Sequence, residues 1–229
     1  MAFDSAHGQA VLFGGQVGPP GVLPSTFLDD TWTFDGRAWA QRHPSTHPAG
    51  RAGAAMAYDP VRRTVLLWGG LASTGQTADF WSWDGAGWTE IRTPSSPPAD
   101  DVPGWPYPPP VLVYDIKRLV MVLVRNGGSH PDAPRVPDAW TWDGSQWAQS
   151  TSTDAPTAWG TAAYDSTRGS VLFLGQDAYP HVGTWSYDGA RWTQLSSPIG
   201  LTFQPDDMPP IVGFGSASTP TLVAQSGEI

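Results

Sequence analysis

Chemistry at a protein surface needs groups that titrate, forks that grip anions or flat rings that stack, and this 229-residue chain holds them in an uneven mix. It carries five His, 19 Asp against two Glu, 11 Arg against one Lys, 13 Trp and no Cys. Without Cys there is no thiolate metal site, disulfide framework or cysteine nucleophile. His43 and His47 are four residues apart, but Pro44 and Pro48 oppose the helix that would turn both towards one metal. The pairs Asp29-Asp30, Asp100-Asp101 and Asp206-Asp207 would supply calcium oxygens only if folding gathered them, and turn or solvation roles explain them equally. No nucleophile-elbow motif, phosphate-binding loop or zinc-protease helix occurs. The sequence therefore names no catalytic residue, no metal ligand and no cofactor.

What remains are residues that bind. Trp105 and Trp159 would stack on a sugar or anchor a partner together with Tyr107 and Tyr179, or else pack beneath loops. Arg51, Arg125 and Arg135 would hold a carboxylate bidentately or brace loops. His130 and His181 are available for general acid-base work, although no nucleophile, base and orienter share a motif with them. The stretch Thr93 to Pro110 contains eight prolines, either a polyproline II surface or a stiff strap. The net charge of -9 opposes an extended nucleic-acid or anionic-membrane surface, which needs clustered cations. The longest aliphatic run, Leu119 to Val124, has six residues, far short of the ~20 of a membrane helix. The chain reads as soluble, with secretion of a full-length protein left open.

These candidates must be positioned by repeats. Trp-Thr-Phe-Asp-Gly-Arg-Ala-Trp begins at Trp32, and Trp81, Trp140 and Trp185 begin Trp-Ser-Trp-Asp-Gly-Ala-Gly-Trp, Trp-Thr-Trp-Asp-Gly-Ser-Gln-Trp and Trp-Ser-Tyr-Asp-Gly-Ala-Arg-Trp. Upstream lie Phe3-Asp4, Tyr58-Asp59, Tyr114-Asp115 and Tyr164-Asp165, each followed eleven residues after the aromatic by Gly14, Gly69, Arg125 or Gly175. Between the anchors, short β-rich runs alternate with turn residues, so each unit reads as four strands. The shortage of Glu and Lys, the usual cover of helix surfaces, points the same way, to an all-β protein. Asp-Gly predicts a two-residue type I′ hairpin loop. With Asp35-Gly36 at the tip, Trp32 faces Trp39, and every repeat sets two tryptophans across a hairpin as core residues.

The pattern resembles the kelch motif, the repeat of galactose-oxidase-like β-propellers, in which a hydrophobic strand ends in Gly-Gly and an aromatic hairpin closes each blade. Val11-Leu12-Phe13-Gly14-Gly15 and Leu66-Leu67-Trp68-Gly69-Gly70 carry the likeness. Arg125-Asn126 and Gly175-Gln176 depart from it. The resemblance covers residues 1 to about 195 and implies a single propeller domain. Its blades span about 1–42, 53–92, 110–150 and 160–196, with a partial fifth at about 210–229, where Phe214 falls 50 residues after Tyr164. Four blades and a half leave an open edge that invites self-association, so the expectation is a fragment of a larger propeller, with an atypical five-blade closure or completion by a second chain as the alternatives. Arginine in place of lysine and richness in Ala, Gly and Pro suggest a GC-rich bacterial source.

Strand parity gathers the second-to-third and fourth-to-first connections on one face. These are the long segments 16–30, 71–79, 126–138 and 176–183, and 42–53, 93–110, 150–160 and 196–210. A site is expected there, since rigid scaffolds carry function on such loops. The copper-radical chemistry implied by galactose oxidase needs a Tyr crosslinked to Cys, which this chain lacks. The leading expectation is a non-catalytic module that binds a protein through its long-loop face. A carbohydrate-binding module and a kelch-type carbohydrate-active enzyme, an isomerase or hydrolase, are the alternatives.

Overall fold

Aromatic and β-branched runs punctuated by Asp-Gly build an array of antiparallel hairpins in the computed structural model, which describes residues 1–18, 26–99, 109–125, 138–152, 160–178 and 181–195. The first sheet joins β1 (Ala2–Asp4), β2 (Gln9–Val17), β3 (Thr26–Phe34) and β4 (Trp39–Arg42) in sequence order. In the second, the first strand is split into β5 (Arg51–Ala52) and β6 (Ala55–Asp59), both on β7 (Thr64–Ala72), followed by β8 (Gly75–Trp83) and β9 (Trp88–Glu90). The third holds β10 (Val111–Asp115), β11 (Val120–Arg125), β12 (Asp138–Trp142) and β13 (Trp147–Gln149). The fourth holds β14 (Gly160–Asp165), β15 (Ser170–Ala178), β16 (His181–Tyr187) and β17 (Trp192–Leu195). The fold is all-β, with no helix among the described residues. Four meandering sheets in series are compatible with β-propeller blades. The partial fifth unit expected at 210–229 lies outside the described residues.

The Asp-Gly hairpins form, with each residue paired two positions further along the partner strand than expected. Phe34 pairs with Trp39, Thr33 with Ala40 and Trp32 with Gln41. The physical reason is the aspartate side chain. Asp35 Oδ1 accepts the N–H groups of Arg37 (2.8 Å) and Ala38 (2.9 Å), which places Asp35 before the tip and leaves Gly36-Arg37 as the turning pair. Only Gly36 takes positive φ, 96°, where a type I′ turn needs it at both central residues. The facing rings are therefore Phe34–Trp39, Trp83–Trp88, Trp142–Trp147 and Tyr187–Trp192, with centroids 4.8 to 5.5 Å apart. Only the second and third hairpins set two tryptophans face to face.

The Gly-Gly pairs lie inside strands, not at their ends. The pairing of β2 with β3 shifts between Phe13 and Gly15 and then continues to Val17, and β7 does the same between Trp68 and Gly70 before reaching Ala72. These are bulges that bend a long strand. Gly14 sits at φ 64°, and a Cβ there would come within 2.5 Å of the Arg51 carbonyl oxygen and 2.8 Å of that of Leu28. As a result the segment 71–79 is mostly strand, turning through Ala72 opposite Gly75, and β15 likewise runs on until Ala178 faces His181.

Three apolar clusters fill the spaces between neighbouring sheets. Val11 and Phe13 of β2 meet Val65, Leu67, Trp83 and Trp88 of the second sheet. Leu66, Trp68 and Phe80 meet Met121, Leu123, Trp142 and Trp147 of the third. Val122, Val124 and Ala139 meet Val171, Phe173, Tyr187 and Trp192 of the fourth. Period-two alternation makes this work, because β7 and β11 each bury one set of side chains against the preceding sheet and the other against the next. Burial of one such aromatic contributes roughly 1.5 to 3 kcal/mol.

Candidate functional site

Sheet topology divides the molecule into two edges. The turns β1–β2 and β3–β4 and their counterparts emerge on one, and the connections β2–β3 and β4–β5 and their counterparts on the other.

The turn edge is knitted together. Asp4, Asp59, Asp115 and Asp165 end the first strands, and each Oδ1 accepts the N–H groups two and three residues on. Each Oδ2 then holds the side chain three residues later: His7 Nδ1 at 2.7 Å, Arg62 Nη1 at 2.9 Å, Arg118 Nη1 at 2.6 Å and Arg168 Nη1 at 2.6 Å. The first three aspartates are at most 1% exposed. His7, Arg62 and Arg118 reach past their own sheet onto the Asp-Gly tip of the next, where they lie on Gly85, Gly144 and Gly189. Arg62 Nη2 donates to the Asp143 carbonyl oxygen at 2.7 Å. Sequence reasoning marked these aspartates only as repeat anchors. The spacing Asp-x-x-Arg in three repeats of four, with His in the other, was the available signal, since a cation there can reach back to the carboxylate closing its own turn.

The tip aspartates are structural in the same way. Backbone N–H groups hold the carboxyls of Asp35, Asp84 and Asp188 below their usual range. The same bonds, led by the Gln146 N–H and joined by the Ser145 hydroxyl, bring Asp143 down to about 2. The carboxyl of Asp165 is lowered first by the hydrogen bond from Arg168. All of these groups stay ionised near neutrality, so none offers a proton for transfer there.

On the loop edge, Arg51 enters through the short strand β5. Its Nε donates to the Ala49 carbonyl oxygen (2.8 Å) and its Nη1 to the Gly69 carbonyl oxygen and Thr77 Oγ1 (3.0 Å each). Its fork closes on Asp79, with Nη1–Oδ1 2.5 Å and Nη2–Oδ2 2.7 Å. The Trp81 indole N–H donates to the same carboxylate at 2.6 Å. Burial opposes the charge of Asp79, but the bonds from Arg51 and Trp81 and the positive charge of Arg51 outweigh it, and its carboxyl lies below the usual range. Arg51 is 1% exposed, and its fork is filled from within its own sheet.

The other sequence candidates are scattered or unplaced. Arg125 ends β11 in register with Asp138. The backbone of His181 opens β16 opposite Ala178. Trp105, Tyr107, Trp159, Tyr179, His130 and Arg135 lie outside the described residues. His47 is exposed, with Nδ1 3.0 Å from the Pro48 carbonyl oxygen and 4.0 Å from Asp29 Oδ2. Asp30 instead accepts the Trp32 indole N–H at 2.5 Å, so the adjacent aspartates serve different partners. Among the described residues no three His, Asp or Glu side chains converge as metal ligands. A cleft of about 300 Å³ opens between the second and third sheets near Arg62, Leu66, Ser82, Arg92 and Trp142.

Compared with known proteins, the chain matches no family model and no curated protein. The class is thus set by the architecture alone: an all-β protein of four antiparallel sheets, three of four strands and one whose first strand is split in two, compatible with propeller blades.

Proposed function

We propose that this chain is a kelch-like propeller module that binds a protein partner through its loop edge. The observation that carries the reading is the division of labour between the edges. The side chains of His7, Arg62 and Arg118 are committed to their own aspartates and to the neighbouring hairpin tips, whereas the loop edge carries the longest connections, β2–β3, β4–β5, β9–β10, β11–β12 and β13–β14, beside the two-residue turns β7–β8 and β15–β16. Function concentrates on such loops because a rigid scaffold presents them without depending on their sequence. The kelch-like reading is supported by the bulged Gly-Gly strands and the repeated aromatic hairpins.

The test places a photo-crosslinking residue at His47 on the loop edge or at Val61 on the turn edge, both exposed, and exposes each protein to extract from its source. Protein adducts from position 47 and not from 61 are expected. Equal labelling from both positions overturns the reading. Glycan-array binding without protein adducts, lost on Trp105→Ala and Trp159→Ala, replaces it with the carbohydrate-binding one.

A further inference from the structure

The junction between the second and third sheets differs from the one before it in how its indole groups are satisfied. Trp88 of the second hairpin donates its indole N–H to Thr31 Oγ1 at 2.9 Å. Thr31 faces Phe13 across β2 and β3, and the residue in the same place one sheet on, facing Trp68, is Phe80. Phe80 has no oxygen to offer. Trp147, whose ring packs on it with centroids 5.0 Å apart, keeps a buried indole N–H with no acceptor among the described residues, and so do Trp142 and Trp68 of the same cluster. A buried donor left in this state bears the full cost of its lost hydration.

Trp142 also lines the cleft between these two sheets. Leu66 and Ile91 add further apolar surface to it, and Arg62, Thr64, Ser82 and Arg92 add polar groups. The two cations are already balanced, Arg62 by Asp59 and Arg92 by Glu90. A charged ligand would have to compete with one of these pairs, whereas an uncharged one uses what they leave over. Arg92 spends its Nε and Nη2 on Glu90, so its Nη1 is left to donate. The Ser82 hydroxyl meets the Thr89 carbonyl oxygen only at 3.5 Å, a bond readily exchanged for a shorter one. The volume of about 300 Å³ lies at the lower end of ligand sites and suits one small ring better than a chain.

We infer that this cleft binds a small uncharged polyol, of the size of a single sugar ring. Its hydroxyl groups bond to Arg92, Ser82 and Thr64, and its C–H surface lies against Leu66 and Ile91. One of its oxygens becomes the acceptor that Trp142 lacks, and turning the indole towards it breaks no existing bond. Thr64 begins β7 and Trp142 ends β12, both beside the turn edge, so an occupied cleft leaves the loop edge free for a protein.

The test is titration of the full chain with methyl glucoside, methyl galactoside and methyl mannoside, followed in its amide and indole N–H signals by NMR, with methyl glucuronide as the charged comparison. At least one neutral glycoside should shift the Trp142 indole signal and the amides of Ile91, Thr93 and Ser145, with a Kd in the millimolar range. Ser82→Phe, which fills the cleft, should weaken that binding at least about tenfold. Arg92→Ala should weaken it several-fold, and since the Arg92 side chain is 84% exposed this variant keeps its fold even if Ser82→Phe does not. Shifts from none of the three neutral glycosides, or shifts confined to other residues, overturn the proposal. So does binding that Arg92→Ala leaves unchanged, or binding of methyl glucuronide as tight as that of the neutral sugars.

Discussion

Arg51 and Asp79 form a bidentate ion pair across the bend of the second sheet, tying the split first strand to β8. The arginine is 1% exposed and the aspartate 26%. Losing one partner of a buried pair leaves the other without its counter-charge in a place where water solvates it poorly. Asp79→Asn should therefore destabilise the fold by about 3 kcal/mol, towards the lower end of the usual range because Asp79 keeps some water. Arg51→Met should cost less, since Trp81 still donates to a carboxylate that reaches solvent. Urea unfolding of both single variants and the double variant would measure their coupling.

The same pair sets a pH dependence. The carboxyl of Asp79 lies lower in the folded chain than its ordinary value of 3.8. Its contribution is then complete above that ordinary value and fades as pH falls through the folded one. Thermal unfolding from pH 6 downward should show an acid limb that is shallower in Asp79→Asn. Carbon-detected titration by NMR should separately place Asp143 near 2, and Ser145→Ala, which removes a hydroxyl donor, should raise that midpoint.

Leu119 sits at φ 58° in the β10–β11 turn, where its N–H closes on the Asp115 carbonyl oxygen at 2.8 Å. Gly169 occupies the matching slot of the fourth sheet at φ 64°. A left-handed conformation costs a side-chain-bearing residue roughly 1 to 2 kcal/mol, and Leu119 is 56% exposed, so little burial is forfeited on removing it. Leu119→Gly should stabilise the chain by about 1 kcal/mol, a rise of roughly 2 to 4 °C in Tm for a domain of this size. Calorimetry decides it, and a fall in Tm would mean that the exposed leucine is packed in solution.

Gly14 and Gly36 separate crowding from conformation. Both hold positive φ, but an added Cβ at Gly14 strikes two carbonyl oxygens, while at Gly36 it enters open space. Gly14→Ala should cost at least about 2 kcal/mol and Gly36→Ala about 1 kcal/mol, the conformational part alone. Equal losses in denaturant unfolding would show that the backbone beside Gly14 yields.

The sheets were legible in the sequence because their signals are local. Asp-Gly tips, aromatic-Asp strand ends and alternating apolar runs each act over fewer than a dozen residues, and together they placed four sheets of four strands. Register was harder. Whether Asp35 turns the chain or caps the turn depends on which backbone N–H groups its carboxylate captures, and residue type does not distinguish these. The Gly-Gly pairs read as strand ends because a bulge and a terminus demand the same glycine. The partner of Arg51 was invisible for a different reason. Asp79 is 28 residues away, and only the bend of β7 and the split first strand bring them together. The turn-edge pairs sat in plain spacing, yet their reach to the following hairpin is a property of stacked sheets and not of any one repeat.

Every covered tip is held by the sheet immediately before it in the chain. Inserting or deleting one whole repeat would therefore leave each surviving junction with the same chemistry. An ancestral gene could lengthen or shorten such an array by unequal recombination without inventing a new contact, which makes copy number the property of this architecture that is easiest for evolution to change.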